Sequence, residues 1–222
     1  SLVLRKGISF LEGTEREVQT IDTLLRNKQI PVALMSGMAG TEESFKQLSG
    51  QSITLLHVAT HGFYSPLTGH YTAQRSFEEQ ALSRSGLFLS GAAASLNMKK
   101  IPEDIEDGIL TAKELSKLDL SNLNLAILSA CQTGLGEIVG DGVFGLQRGF
   151  KKAGAQTLLM SLWKVDDTAT QLLMAEFYKN LVSGQNKRAA FLNAQKYLRS
   201  YQNGIYDKPE YWAAFIMLDG IH

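Results

Sequence analysis

The run Leu123-Asn124-Leu125-Ala126-Ile127-Leu128-Ser129-Ala130-Cys131-Gln132-Thr133-Gly134 decides the fold. Up to position 130 it reads as a strand covered on both faces, the kind found in parallel sheets packed under helices. It closes on the only cysteine of the chain, and a glycine follows closely. Residues 53–60 form a second apolar run, which ends on His61-Gly62. Two strand-like segments thus carry a thiol and an imidazole to their carboxyl ends, where ligands and chemistry collect in open α/β sheets. A nucleophile beside a base is the arrangement that thiol catalysis needs.

Outward from these two runs, strand and helix patterns alternate. Thr14-Glu15-Arg16-Glu17 reads as a capping box, followed at helical spacing by Val18, Ile21, Leu24 and Leu25. Residues 30–35 read as a short strand, with Pro31 tolerable near its start. Thr41 opens a second helix ending near Leu48. Residues 65–109 form an irregular loop region, broken by a strand candidate at 86–90. Thr111-Ala112-Lys113-Glu114 is another capping box. A helix over 143–153 stops at Gly154, and a strand over 157–162 follows. Asp166 or Asp167 caps the helix running to Gly184, a helix spans 187–201, and a last strand spans 213–218. The order predicts an α/β fold with a mostly parallel central sheet and helices on both faces.

The 222 residues suit one domain of ordinary size. Lys and Arg together number 22, as do Asp and Glu, so no overall field favours nucleic acid or an anionic membrane. No apolar stretch approaches the roughly 20 residues that span a bilayer. A single cysteine excludes an intrachain disulfide and cannot form a cysteine-based zinc site, which fits a reducing, cytoplasmic setting. The first residue is Ser1, so the chain reads as a piece of a longer protein.

Taken alone, Cys131 would be a small buried hydrophobe. Its place between a strand and a glycine-rich turn turns the reading toward a nucleophile. His57 and His61 fall on one face of a single strand. His57 lies within the run and is read as structural, whereas His61 ends it and is read as the chemical one. A zinc motif is excluded because Val58 stands where a glutamate is required. Gly140-Asp141-Gly142-Val143-Phe144-Gly145 matches a dinucleotide fingerprint in form only: it does not directly follow a strand and lacks the later ribose-binding acid. The run Glu103, Asp104, Glu106, Asp107 reads as a solvated loop. No metal and no cofactor is expected.

The blocks Leu56-His57-Val58-Ala59-Thr60-His61-Gly62, Leu128-Ser129-Ala130-Cys131-Gln132-Thr133-Gly134 and Gly140-Asp141-Gly142-Val143-Phe144-Gly145-Leu146-Gln147-Arg148 together resemble a CHAT domain. So do Met160-Ser161-Leu162-Trp163-Lys164-Val165-Asp166-Asp167 and Tyr211-Trp212-Ala213-Ala214-Phe215. CHAT domains are a branch of the caspase-like cysteine peptidases, which also contains separase, gingipains and clostripain. The resemblance runs from about Gly13 to Gly220. It implies a caspase-like sheet with His61 and Cys131 as a catalytic dyad, a protein or peptide substrate, and a helical-repeat domain or partner that regulates the site.

On that reading Cys131 attacks a peptide carbonyl, the N–H groups of Gly62 and Cys131 hold the oxyanion, and His61 protonates the leaving amine. By analogy with separase-like relatives, Asp167, then Asp166, then Asp141 would read a basic residue before the cut. Leu87 and Phe88 would instead supply an apolar wall. Two other readings stand beside this one: a catalytically silent module presenting a peptide groove, and a thiol acyltransferase or amidase.

Overall fold

The computed structural model describes residues 12–64, 81–96, 106–129 and 144–220. Its strands are β1 (Leu55–Val58), β2 (His61–Tyr64), β3 (Ser85–Phe88), β4 (Ile109–Thr111), β5 (Leu125–Leu128), β6 (Thr157–Ser161) and β7 (Phe215–Asp219). Its helices are α1 (Glu12–Asn27), α2 (Glu42–Lys46), α3 (Ala92–Ser95), α4 (Ala112–Leu115), α5 (Phe144–Ala153), α6 (Asp167–Val182), α7 (Lys187–Ser200) and α8 (Pro209–Trp212). Backbone contacts divide the chain into two compact units, one built around Met35–Trp163 and the other around Lys164–Met217 with α1.

The main sheet has the order β1-β5-β6-β7, and β1, β5 and β6 run parallel. Every residue of β5 and β6 is buried, as their unbroken apolar sequences require. β1 lies at the sheet's edge and is only partly covered. The mostly parallel α/β sheet expected from the sequence is therefore present. A second sheet was not foreseen: β2, β3 and β4 pair antiparallel, in that order. Leu87 and Leu110 are fully buried within it.

The helix α5 settles onto β3 and α4 through two glycines. A methyl at Gly145 would overlap the Ser85 hydroxyl, and one at Gly149 would come 2.9 Å from Leu115 Cδ2. Gly145 thus has a packing reason that needs no nucleotide. Gly154, at φ +98°, ends α5 in the left-handed conformation open to glycine.

In the other unit, α1, α6 and α7 bury apolar stripes that include Ile21, Leu173, Phe177, Phe191 and Leu198. Phe177 meets Phe191 edge-on at 6.1 Å. Asn186 caps α7 by accepting the Ala189 N–H at 2.9 Å.

Four expectations need correction. Residues 30–35 form no strand: Ile30, Leu34 and Met35 stay 39%, 40% and 44% exposed, and Pro31 has no N–H for a ladder. α1 begins at Glu12, so Thr14 lies inside the helix and does not cap it. The run at 53–60 is not one strand reaching His61, because β1 stops at Val58 and His61 starts β2 in the other sheet. The shared-face argument for His57 and His61 fails with it. Glu106 and Asp107 are also more than solvated, since Glu106 is bonded to Lys46 at 2.8 Å and Asp107 accepts the Ile109 N–H at 2.8 Å; Glu103 and Asp104 lie outside the described residues.

Lys46 gathers three carboxylates. Its ammonium lies 2.8 Å from Glu42, 2.8 Å from Glu106 and 3.3 Å from Glu114. The Glu42 side chain is 1% exposed and also accepts the Gly108 N–H at 3.0 Å, which fixes the start of β4. Glu114 completes the capping box of α4, taking the Thr111 N–H at 3.0 Å and the Thr111 hydroxyl at 2.6 Å. Burial pushes the Glu42 carboxyl above its ordinary 4.5, against the pull of Lys46. Burial also acts upward on Glu114, but the Thr111 hydrogen bonds and Lys46 outweigh it and hold that carboxyl low.

A raised folded value at Glu42 means its contribution to stability is complete below the unfolded value and fades as pH rises through the folded one. Lys46→Met removes the ammonium paired with Glu42 and raises that carboxyl further. Urea unfolding should show a loss of about 3 kcal/mol at pH 7, shrinking as pH falls through the variant's raised Glu42 value, above the ordinary 4.5. A pH-independent loss would contradict the account.

Candidate active site

The parallel ladder fixes where the strand ends lie. β1 and β5 are paired from Leu55↔Leu125 to Val58↔Leu128, and the Ser129 N–H then donates to the Val58 carbonyl at 3.0 Å. The two strands therefore stop level with one another. His61 and Cys131 each stand three positions beyond that last pair (58 to 61 and 128 to 131). Cys131 itself lies outside the described residues, as do Asp141, Gly140 and Gly142.

His61 is half-buried at the first position of β2 and opposes Phe88, with Gly62 opposing Leu87. Directly opposed residues share a face. His61, Phe63, Gly86 and Phe88 thus project to one side, and Gly62, Tyr64, Ser85 and Leu87 to the other. The Phe63 and Phe88 rings stack at 4.8 Å beside His61. Gly86 makes room for this pair: a methyl there would come 2.7 Å from Phe63 Cε1 and would also meet the Leu110 carbonyl. Leu87 is fully buried on the side away from His61, whereas Phe88, 4% exposed, shares the histidine's side.

The direction of the main-chain groups can be worked out from one bond. The Leu89 N–H donates to the Gly108 carbonyl at 2.7 Å, so Leu89 faces the β4 side. Along an antiparallel strand the facing alternates residue by residue. Phe88 and Gly86 therefore direct their main-chain groups toward β2, and Leu87 toward β4. The Thr60 hydroxyl, which donates to the Phe88 carbonyl, agrees with this phase. His61 and Phe63 then bond to β3, and the N–H groups of Gly62 and Tyr64 point away from it. Gly62 is buried, yet its N–H is not spent on the β2–β3 ladder.

The two aspartates are placed in the other unit. Asp166 caps α6 by accepting the Ala169 N–H at 2.9 Å, one of the two roles the sequence allowed it. Asp167 begins the helix, is exposed, and lies over Gly13, where a methyl would come 2.8 Å from its Cβ. His57 sits within β1 opposite Ile127. Among the described residues, Glu42, Glu106 and Glu114 are the group whose oxygens lie close enough for a metal, within 4.8 Å of one another, and Lys46 sits among them. Sequence reasoning overlooked Thr60, Phe63 and Gly86. Their signal was present in the alternation around His61, but the partner strand could not be aligned without knowing its register.

The sequence matches the CHAT domain family over residues 3–220. It is similar to Tetratricopeptide repeat protein 28 of Mus musculus, 34% identical over 110 residues, and to that of Homo sapiens, 32% identical over 114 residues. The aligned stretches are 50% and 51% of this chain but 4% of each relative, so the chain spans a small part of their length. Among the described residues, no helix is long and apolar enough to cross a membrane.

Gly86→Ala should destabilise the protein by about 1–3 kcal/mol, the usual penalty of overpacking. Adding Phe63→Ala should restore little of it, because the Leu110 carbonyl is held in the ladder. Full rescue in thermal or urea unfolding would show that Phe63 alone sets the constraint.

Proposed function

This chain belongs to the CHAT domain family, which is caspase-like, and from that premise we propose that it is a cysteine endopeptidase acting through His61 and Cys131. The observation that carries the reading is the level ending of β1 and β5, which starts the His61 and Cys131 segments side by side. The match across 3–220 supports treating the whole chain as one domain.

In the proposed reaction a protein or peptide substrate lies extended across the strand ends. The Cys131 thiolate adds to the scissile carbonyl, and the carbonyl oxygen takes up the negative charge. Gly62 suits the oxyanion because its N–H is directed off the β2–β3 ladder, and the Cys131 N–H is the second donor. Collapse of the adduct breaks the C–N bond, with His61 giving its proton to the departing amine. Water then adds to the thioester, His61 takes its proton, and the acid leaves with the thiol restored. The aromatic pair Phe63–Phe88 borders the imidazole on one side, which limits its motion and its contact with water.

For the residue before the cut, Asp167 remains the first candidate to recognise a basic side chain. Both aspartates are exposed, but Asp166 has an oxygen committed to the Ala169 N–H. Asp141 is the third. Phe88, and less so the fully buried Leu87, supports the competing apolar wall. The names of the two relatives support a tetratricopeptide-repeat segment or partner as the regulator. A cytoplasmic setting is retained as part of the proposal.

Cleavage of fluorogenic peptides tests the reading. Cys131→Ala and His61→Ala should each lose at least about a hundred-fold in kcat/KM, and His57→Gln should stay near the parent rate. Full activity in a folded Cys131→Ala or His61→Ala protein would contradict the mechanism. Within a peptide series varied before the cut, arginine and lysine should be preferred. Cleavage confined to leucine would assign the pocket to the apolar wall.

A further inference from the structure

We infer that Thr60 is a positioning residue for His61, acting through the Phe88 carbonyl; the inference rests on the peptidase reading and extends it to the residue that aims the base. The link between β1 and β2 is only Ala59-Thr60. Across it the chain leaves the parallel sheet and enters the antiparallel one, so the torsions of these two residues set the direction in which His61 departs. A link that short has no slack: its β1 end is fixed where the Val58 carbonyl takes the Ser129 N–H, and its β2 end needs a tie of its own.

The Thr60 hydroxyl closes the gap. It donates to the Phe88 carbonyl, the same oxygen that the ladder phase directs at the His61 N–H. Two donors from consecutive residues therefore converge on one acceptor opposite the imidazole. That acceptor is firmly placed. Phe88 is 4% exposed and stacks on Phe63, and it pairs with Ile109 on its other side. The next residue, Leu89, donates to Gly108, whose own N–H is taken by the buried Glu42 carboxylate. The β-branched side chain of threonine has a restricted χ1, so the hydroxyl is aimed with little loss of freedom.

Geometry of this kind is worth more to a rate than to stability, because a displacement near 1 Å of a reacting group can cost about a hundred-fold. Thr60→Val keeps the shape and removes the donor, and Thr60→Ser keeps the donor and removes the methyl. In the peptide assay Thr60→Val should lower kcat by about ten- to a hundred-fold with KM unchanged, and Thr60→Ser should retain most of the parent rate. A Thr60→Val protein within two-fold of the parent, or a Thr60→Ser protein as impaired as Thr60→Val, overturns the inference.

Two further readouts separate this inference from the reading beneath it. Iodoacetamide alkylation of the single cysteine should follow a pH profile that depends on His61, and Thr60→Val should move that profile toward the one of His61→Ala. Identical profiles for the parent and His61→Ala would end the Cys–His reading. The imidazole 15N spectrum then decides the positioning on its own. One set of His61 resonances in the parent and Thr60→Ser, with a second or broadened set in Thr60→Val, supports the hydroxyl's role. The same spectrum in all three overturns it.

Discussion

The register Val58↔Leu128, extended by the Ser129 N–H on the Val58 carbonyl, is the constraint from which the rest of the candidate site follows. A parallel ladder cannot slip by one residue without turning every side chain of the strand to the other face. β5 is buried throughout, so that slip would carry a large loss of apolar burial. The two strand ends are therefore held level by the core itself. The segments leading to His61 and to Cys131 begin as neighbours before any catalytic contact is made.

What the register does for position, the antiparallel sheet does for direction. β3 is its middle strand, bonded alternately to β2 and β4, and that alternation decides which N–H groups of β2 are spent and which are not. The Phe88 carbonyl is the point where the two sheets are tied at the histidine, through Thr60. Behind it, Lys46 and its three carboxylates anchor the start of β4. The ionic cluster supports β4, which pairs with β3, the partner of the strand carrying the imidazole.

The sequence was readable where burial is two-sided and local chemistry is strong. The apolar runs of β5 and β6, the Thr41 cap on Ser44, the Thr111 box and the glycine stop at Gly154 each follow from short-range rules that tertiary contacts reinforced. It misled where a pattern had no burial behind it. Residues 30–35 are an apolar run like a strand but leave Ile30, Leu34 and Met35 exposed, and the Thr14 box lies inside a helix that starts earlier. The second sheet escaped notice because its strands are three or four residues long and two of them flank a loosely patterned region. His61 was identified as the chemical histidine from a strand end that is in fact a strand start. The choice rests on the end of the 53–60 run and on Gly62, whose N–H the ladder phase leaves unspent on β3.

The most direct measurement is a crystal structure of the protein treated with a peptide carrying a thiol-reactive aldehyde. The account predicts a bond between Cys131 Sγ and the former aldehyde carbon, with its oxygen about 2.7–3.1 Å from the Gly62 N atom and the His61 imidazole on the opposite side. A peptide bound without that bond, or an oxygen held by groups other than Gly62, would contradict it.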